Sequence, residues 1–145
     1  MRRVPVREVP AVIAALALAC AVEVGLRTLS LPRTARLVGA PLRSTSSPTA
    51  PQVRGARLGR RGRRQARAVQ RVMRHWPFGD TCLRHALVAG HRLRRFDPEL
   101  VVGVAKVDGE IRAHAWLEFD TGLYDPLRAA QAYLPLGSPR PVEEE

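Results

Sequence analysis

The pair Asp108-Gly109, set between two apolar runs, constrains this chain more than any other feature. Leu100 to Val107 upstream is almost continuously apolar. Downstream, Ile111, Ala113, Ala115, Leu117 and Phe119 alternate with Arg112, His114, Trp116 and Glu118. An Asp-Gly pair supplies the positive φ that a two-residue hairpin turn needs, and a period of two sends alternate side chains to opposite faces. The spacing therefore predicts an antiparallel hairpin carrying His114, Trp116 and Glu118 on one face. A second turn at Asp120-Thr121-Gly122 leads to a short third strand, Leu123-Tyr124-Asp125.

Helical patterns precede the strands. Val69, Val72, Met73 and Trp76 recur at i, i+3, i+4 and i+7, one face of a helix that begins near Arg63 and is closed by Pro77. After Phe78-Gly79, either Asp80 or Thr81 can cap a second helix running from Cys82 to about Arg95. Helices followed by antiparallel strands define an α+β fold. The sequence divides into an apolar helix over 1–31, a Pro/Ser/Gly/Arg-rich linker over 32–62, a domain of helices and strands over 63–134 and an acidic tail over 135–145.

The apolar stretch from Val9 to Val22 is shorter than the ~20 residues a membrane span needs. It has the length of a signal-peptide core, and Ala17-Leu18-Ala19-Cys20 has some likeness to a lipoprotein cleavage box. The helical pattern nevertheless continues through Glu23, Arg27 and Leu29, which favours a buried or membrane-touching amphipathic helix.

The net charge is +11 and comes from arginine, Lys106 being the only lysine. Such a field attracts an acidic peptide, a nucleic acid or an anionic membrane surface. Aromatic residues make up only 5% and do not interleave with the basic run, which argues against a dedicated single-strand nucleic-acid binder. Cys20 and Cys82 are the only cysteines. With no CxxC and no paired Cys/His spacing, no structural zinc and no cofactor are expected. A reducing cytoplasm is the simpler location.

Cys82 stands at the first turn of its helix. The positive end of the helix dipole favours a nucleophilic thiolate there, and the free N–H groups can hold an oxyanion. His114 could take the thiol proton and return it to a leaving amine. It faces the Cys82 helix if the Ile111–Phe119 stripe packs outward or on a second layer. Asp125 is the preferred carboxylate to orient the imidazole. A plain two-residue loop at Asp120-Thr121 puts it opposite Trp116, diagonal to His114; a bulge at Gly122 would turn it away. Glu118 shares the His114 face but lies roughly 13 Å along the strand at ~3.3 Å per residue. Trp116 is a candidate wall of the cleft, equally well a packing residue, and Thr81 is a second cleft candidate. His75 reads as a surface or packing residue, and His85 and His91, not spaced as an i, i+4 metal pair, read as structural.

Three blocks in this order, Thr81-Cys82-Leu83-Arg84-His85-Ala86-Leu87, Val102-Gly103-Val104-Ala105-Lys106 and Ala113-His114-Ala115-Trp116-Leu117-Glu118, closely resemble the lasso peptide leader peptidases, the transglutaminase-like protease subunits of lasso peptide maturation. The likeness covers about Arg63 to Leu127. It implies a papain/transglutaminase-like core, with a nucleophile helix packed on a small antiparallel sheet. It carries the catalytic roles onto Cys82, His114 and Asp125. The expected substrate is a precursor peptide cut at its leader, and the expected partners are a separate leader-recognition protein and a lasso cyclase, this chain being the stand-alone form. Two other classes stay open from the residues alone: an acyltransferase using the same triad with an amine acceptor, and a non-catalytic basic adaptor for nucleic acid or an anionic membrane.

Overall fold

A computed structural model describes residues 4–43, 54–79 and 81–136. Four helices, α1 (Val9–Thr28), α2 (Leu31–Val38), α3 (Gly59–Arg74) and α4 (Cys82–Arg92), precede strands β1 (Glu99–Val107), β2 (Glu110–Phe119), β3 (Gly122–Tyr124) and β4 (Leu134–Pro135). The strands form one antiparallel sheet in the order β3-β2-β1-β4. The α+β class and the antiparallel sheet expected from the sequence are both present.

Helix α4 lies at the centre. Residues His85 to Gly90 are buried all round it, because α1 and α3 cover one side and the sheet covers the other. Gly90 is what lets α4 sit so close. A Cβ there would lie 2.6 Å from that of Ala40 and 3.4 Å from Leu117. The apolar stripe of β2 (Ala115, Leu117, Phe119) joins this core with Ala86, Leu87 and Leu100. The stripe thus packs against α4 rather than outward, so the condition under which His114 would face that helix is not met, and His114 lies on the other face of β2. Ile111 and Ala113 remain exposed because the tip of the β1–β2 hairpin projects beyond the helices. Asp108 (φ 50°) and Gly109 (φ 84°) make the turn with the positive φ values that the Asp-Gly pair predicts.

The N-terminal half is more structured than its composition suggests. In α1, Ala11, Ala15, Ala19 and Val22 are buried in the core, so this helix is a wall of the fold rather than an arm. Their small side chains let α1 approach α3 and α4 closely, while Ile13, Leu16 and Val24 on other sides stay exposed. The segment Val6–Thr28 is long and apolar enough to cross a membrane; its most apolar window has a mean hydropathy of 2.2 and is 28% buried.

The linker expected over 32–62 contains helix α2. Pro32 sits in its first turn, where no N–H partner is needed. Gly39 ends it at φ 81°, and Gly39 and Ala40 donate to the carbonyls of Arg36 and Ala35. Arg43 N–H donates to Leu100 O and Ala56 N–H to Leu123 O, so both ends of the remaining connection are fastened to the sheet. Helix α3 starts at Gly59, a turn earlier than expected. Pro135, assigned to the tail, pairs with Gly103 in β4. The rest of the tail, from residue 137, and the alternative cap Asp80 lie outside the described residues.

Candidate active site

Thr81 leads into α4 in an extended conformation (φ −86°, ψ 146°), and its hydroxyl accepts a hydrogen bond from Arg84 N–H at 3.3 Å. That cap makes Cys82 the first residue of the helix, as the sequence pattern predicts. The Thr81 side chain is exposed and does not line the cavity described below, so its structural part is to start the helix. Arg84 then fastens this first turn to α1, donating to Glu23 at 2.7 and 3.2 Å. The Arg84 hydrogen bond holds the Glu23 carboxyl down to about 2, against a burial that alone would raise it. Arg27 donates to the same carboxylate at 3.1 Å, and its guanidinium lies 4.8 Å from the centre of the Phe78 ring.

The third strand settles the register that the sequence left open. Phe119 pairs with Gly122, Glu118 with Leu123 and Leu117 with Tyr124, so the loop is the two residues Asp120-Thr121 with no bulge. Continuing that register sets Asp125 opposite Trp116, diagonal to His114. Gly122 is required for another reason: at φ 147° its absent Cβ would lie 2.3 Å from Arg54 O. Because β3 stops at Tyr124, β2 has no β3 partner at residues 114–116, and the chain after Asp125 folds over this edge.

His114 Nε2 and Asp125 Oδ1 lie 2.9 Å apart, both side chains buried. Asp125 is itself held from behind. Ala129 and Ala130 N–H donate to Oδ2, each at 2.7 Å, and Leu127 N–H donates to Oδ1 at 3.2 Å. With Nε2 committed to the carboxylate, Nδ1 is the ring nitrogen left for a thiol proton. Aromatic rings fix the imidazole plane: Trp116 stacks at 5.8 Å between centroids (27° between planes) and Tyr133 lies at 5.1 Å. The Trp116 indole N–H donates to buried Glu118 at 3.0 Å, and Glu118 accepts from Arg43 in turn. Trp116 therefore both walls the cavity and packs in a small cluster with Val101 and Ala130. Gly103 on β1 makes room for it, since a Cβ there would lie 2.8 Å from the indole.

Cys82, His114, Asp125 and Trp116 line one cavity of about 180 Å³. Cys82 is half-buried, and both it and Cys20 are free thiols. The cavity also takes in residues that sequence reasoning passed over. His85 is buried on its wall with Nε2 3.1 Å from the Tyr124 hydroxyl, and Gln70 and Arg74 reach it from α3. His85 makes no metal-type pair with His91, and its sequence spacing alone reads as structural. The useful signal was its position three residues after Cys82, on the same side of the helix start. His91 is structural: its Nδ1 lies 3.2 Å from Val38 O, and burial, reinforced by Arg94, pushes its basicity below the ordinary histidine range. His75 is exposed.

A thiol at a helix start shares its cavity with an imidazole that a buried carboxylate holds from behind, the set of groups that Cys-His-Asp acyl chemistry uses. The profile of the Transglutaminase-like superfamily (Transglut_core3) matches residues 10–137, and the chain belongs to that superfamily. The match begins within α1, in keeping with the part α1 plays in the core. Neither the curated proteins nor the solved structures yield a match to the chain.

Proposed function

We propose that this protein is a cysteine peptidase that removes the leader from a ribosomally made lasso peptide precursor. Superfamily membership implies thiol-based acyl chemistry, hydrolytic or transferring. The observation that carries the reading is the single cavity shared by Cys82, His114 and Asp125, with His114 tied to Asp125 at 2.9 Å. In this account Cys82 attacks the carbonyl at the leader–core junction as Nδ1 of His114 takes its proton. The N–H groups at the start of α4 hold the oxyanion, and His114 returns the proton to the departing amine. Water, deprotonated by the same imidazole, then releases the leader with a free carboxylate and restores the thiol.

The finer assignment rests on the likeness of the Cys82, Val102 and His114 blocks to the leader peptidases. Two neighbouring cavities fit a substrate of peptide length. One, of about 540 Å³, shares Gln70, Tyr124, Asp125 and Pro126 with the site. The other, of about 970 Å³ between α1 and α3, shares Gln70 and Arg74. The expected companions are a leader-recognition protein and a lasso cyclase, in the cytoplasm, with the exposed apolar side of α1 available for peripheral membrane contact.

The test is cleavage of a candidate precursor, with the leader-recognition protein present, by the wild type and by Cys82→Ala, read by mass spectrometry. Wild-type product ending in a free carboxylate and none from the variant is the expected result. Product joined to an amine would make the enzyme an acyltransferase, and cleavage retained by Cys82→Ala would overturn the reading.

A further inference from the structure

The other end of α4, a helix length away from Cys82, carries a different concentration of charge. Arg61 in the first turn of α3, Arg92 at the end of α4, and Arg94 and Arg95 in the 3-10 turn Arg94–Phe96 line one cavity of about 470 Å³. Gln65 and the Phe96 ring complete its wall. Among the described residues no carboxylate lines it. Elsewhere the chain neutralises its structural arginines: Arg27 and Arg84 bond to Glu23, Arg43 to Glu99 and Glu118, and Arg67 and Arg71 to Glu8.

Among the described residues, the partners of these arginines are neutral. Arg92 donates twice to the Gln65 amide oxygen, at 2.9 and 2.6 Å. Arg94 donates to the His91 carbonyl at 2.9 Å and contacts the His91 ring. Among the described residues, Arg61 and Arg95 make neither a hydrogen bond nor an ion pair. Burial, together with Arg94 and Arg61 close by, makes the Arg92 guanidinium easier to deprotonate than an ordinary arginine. Held together without an anion, these groups repel one another.

We propose that this cavity binds a small phosphate-bearing anion of at least two negative charges. Guanidinium forks match phosphate oxygens bidentately, and several of them around one cavity suit a compact anion better than a single carboxylate. The volume is that of a small-molecule site rather than of a stripe tracking a nucleic-acid backbone. Phe96, held edge-on by Phe119 with ring centroids 6.4 Å apart, gives the cavity a firm apolar wall against which an organic group attached to the phosphate could rest. The site is separate from the Cys82 cavity and does not rest on the peptidase reading.

Inorganic pyrophosphate titrated calorimetrically into the full-length protein, at fixed ionic strength, tests the proposal. One saturable site is expected. Arg61→Gln/Arg95→Gln, two exposed positions, should weaken it at least about tenfold, as loss of charge-assisted hydrogen bonds predicts. Arg33→Gln/Arg36→Gln on α2 removes the same charge elsewhere and should change affinity less than about twofold. If the first double variant melts early, Arg95→Gln alone carries the test, with weakening of about threefold expected. Absence of saturable binding overturns the proposal, as does equal weakening by both pairs, which is the mark of a diffuse basic surface. Tighter binding of a hexaglutamate peptide or of duplex DNA than of pyrophosphate, lost in the Arg61/Arg95 variant, would also overturn it in favour of a macromolecular partner.

Discussion

Replacing Asp125 by Asn separates the orienting role of this side chain from its structural one, because an amide cannot satisfy all of its neighbours. Oδ2 accepts two 2.7 Å bonds from Ala129 and Ala130 N–H, while Oδ1 faces Leu127 N–H at 3.2 Å and His114 Nε2 at 2.9 Å. An asparagine oxygen in the Oδ2 place keeps the two short bonds and sets its NH2 against Leu127 and His114. The opposite orientation loses both short bonds and leaves two N–H groups, buried Ala130 and half-buried Ala129, facing an NH2. At about 1–3 kcal/mol for each buried group left unsatisfied, the first orientation wins by roughly 1–3 kcal/mol. Its own cost, mainly the Leu127 bond, is of the same order as one hydrogen bond, about 1 kcal/mol. Chemically the substitution is severe. The NH2 donates to Nε2, so the proton moves to Nδ1 and the ring has no lone pair for the thiol. In the serine-protease triad the equivalent exchange drops kcat about 10⁴-fold, and a fall of 10³- to 10⁴-fold in kcat is expected here with Tm lowered by only a few degrees. The assay is precursor cleavage followed by mass spectrometry, alongside thermal melts. A fall of less than tenfold in a folded variant would refute the orienting role, and a variant that is inactive only because it is unfolded would refute the orientation argument.

The remaining predictions concern the supports of the site. Glu23 has a folded-state pKa of about 2, below its unfolded value, so its contribution to stability is present above the ordinary carboxylate range and is lost as pH falls toward 2. Thermal melts of Glu23→Gln should therefore lie below wild type at pH 6 and converge with it near pH 2; a gap that is constant with pH would contradict the ion-pair account. Gly103→Ala places a methyl where the Trp116 indole lies 2.8 Å away, and such overpacking costs about 1–3 kcal/mol. Because Trp116 stacks on His114, kcat should fall with it and tryptophan fluorescence should shift; unchanged kcat and spectrum would show that the indole yields freely. Thr81→Ala removes the hydroxyl that caps α4 and should cost about 0.5–2 kcal/mol in a melt.

What the sequence made legible was local. The Asp108-Gly109 turn and the alternation around His114 are written within a few residues, and so is the Pro77–Thr81 break that puts Cys82 at a helix start. Asp125 was half legible, because its face depended on whether the Asp120–Gly122 turn had two residues or a bulge. Backbone crowding at Arg54, far off in sequence, explains why Gly122 is there. Helix α2 was hidden by a Pro/Ser-rich composition, although Pro32 and Gly39 stand where a short helix places them. The role of α1 was hidden for a different reason. A helix apolar nearly all round does not mark its buried face, and only Glu23, bonded to Arg84 across 61 positions, shows which side meets the site. The Arg43–Glu118 bond behind Trp116 spans 75 positions and has no local signature.

The central claim is that His114 activates Cys82, and the chain carries its own control in Cys20, an exposed free thiol. Timed alkylation with limiting iodoacetamide at pH 7, followed by peptide mass spectrometry, measures both thiols in one sample. The account predicts that half-buried Cys82 reacts at least about tenfold faster than Cys20, since thiolate character sets the rate. It also predicts that His114→Ala abolishes this advantage while Cys20 is unaffected. A Cys82 no faster than Cys20 in the wild type, or equally fast without His114, would contradict it.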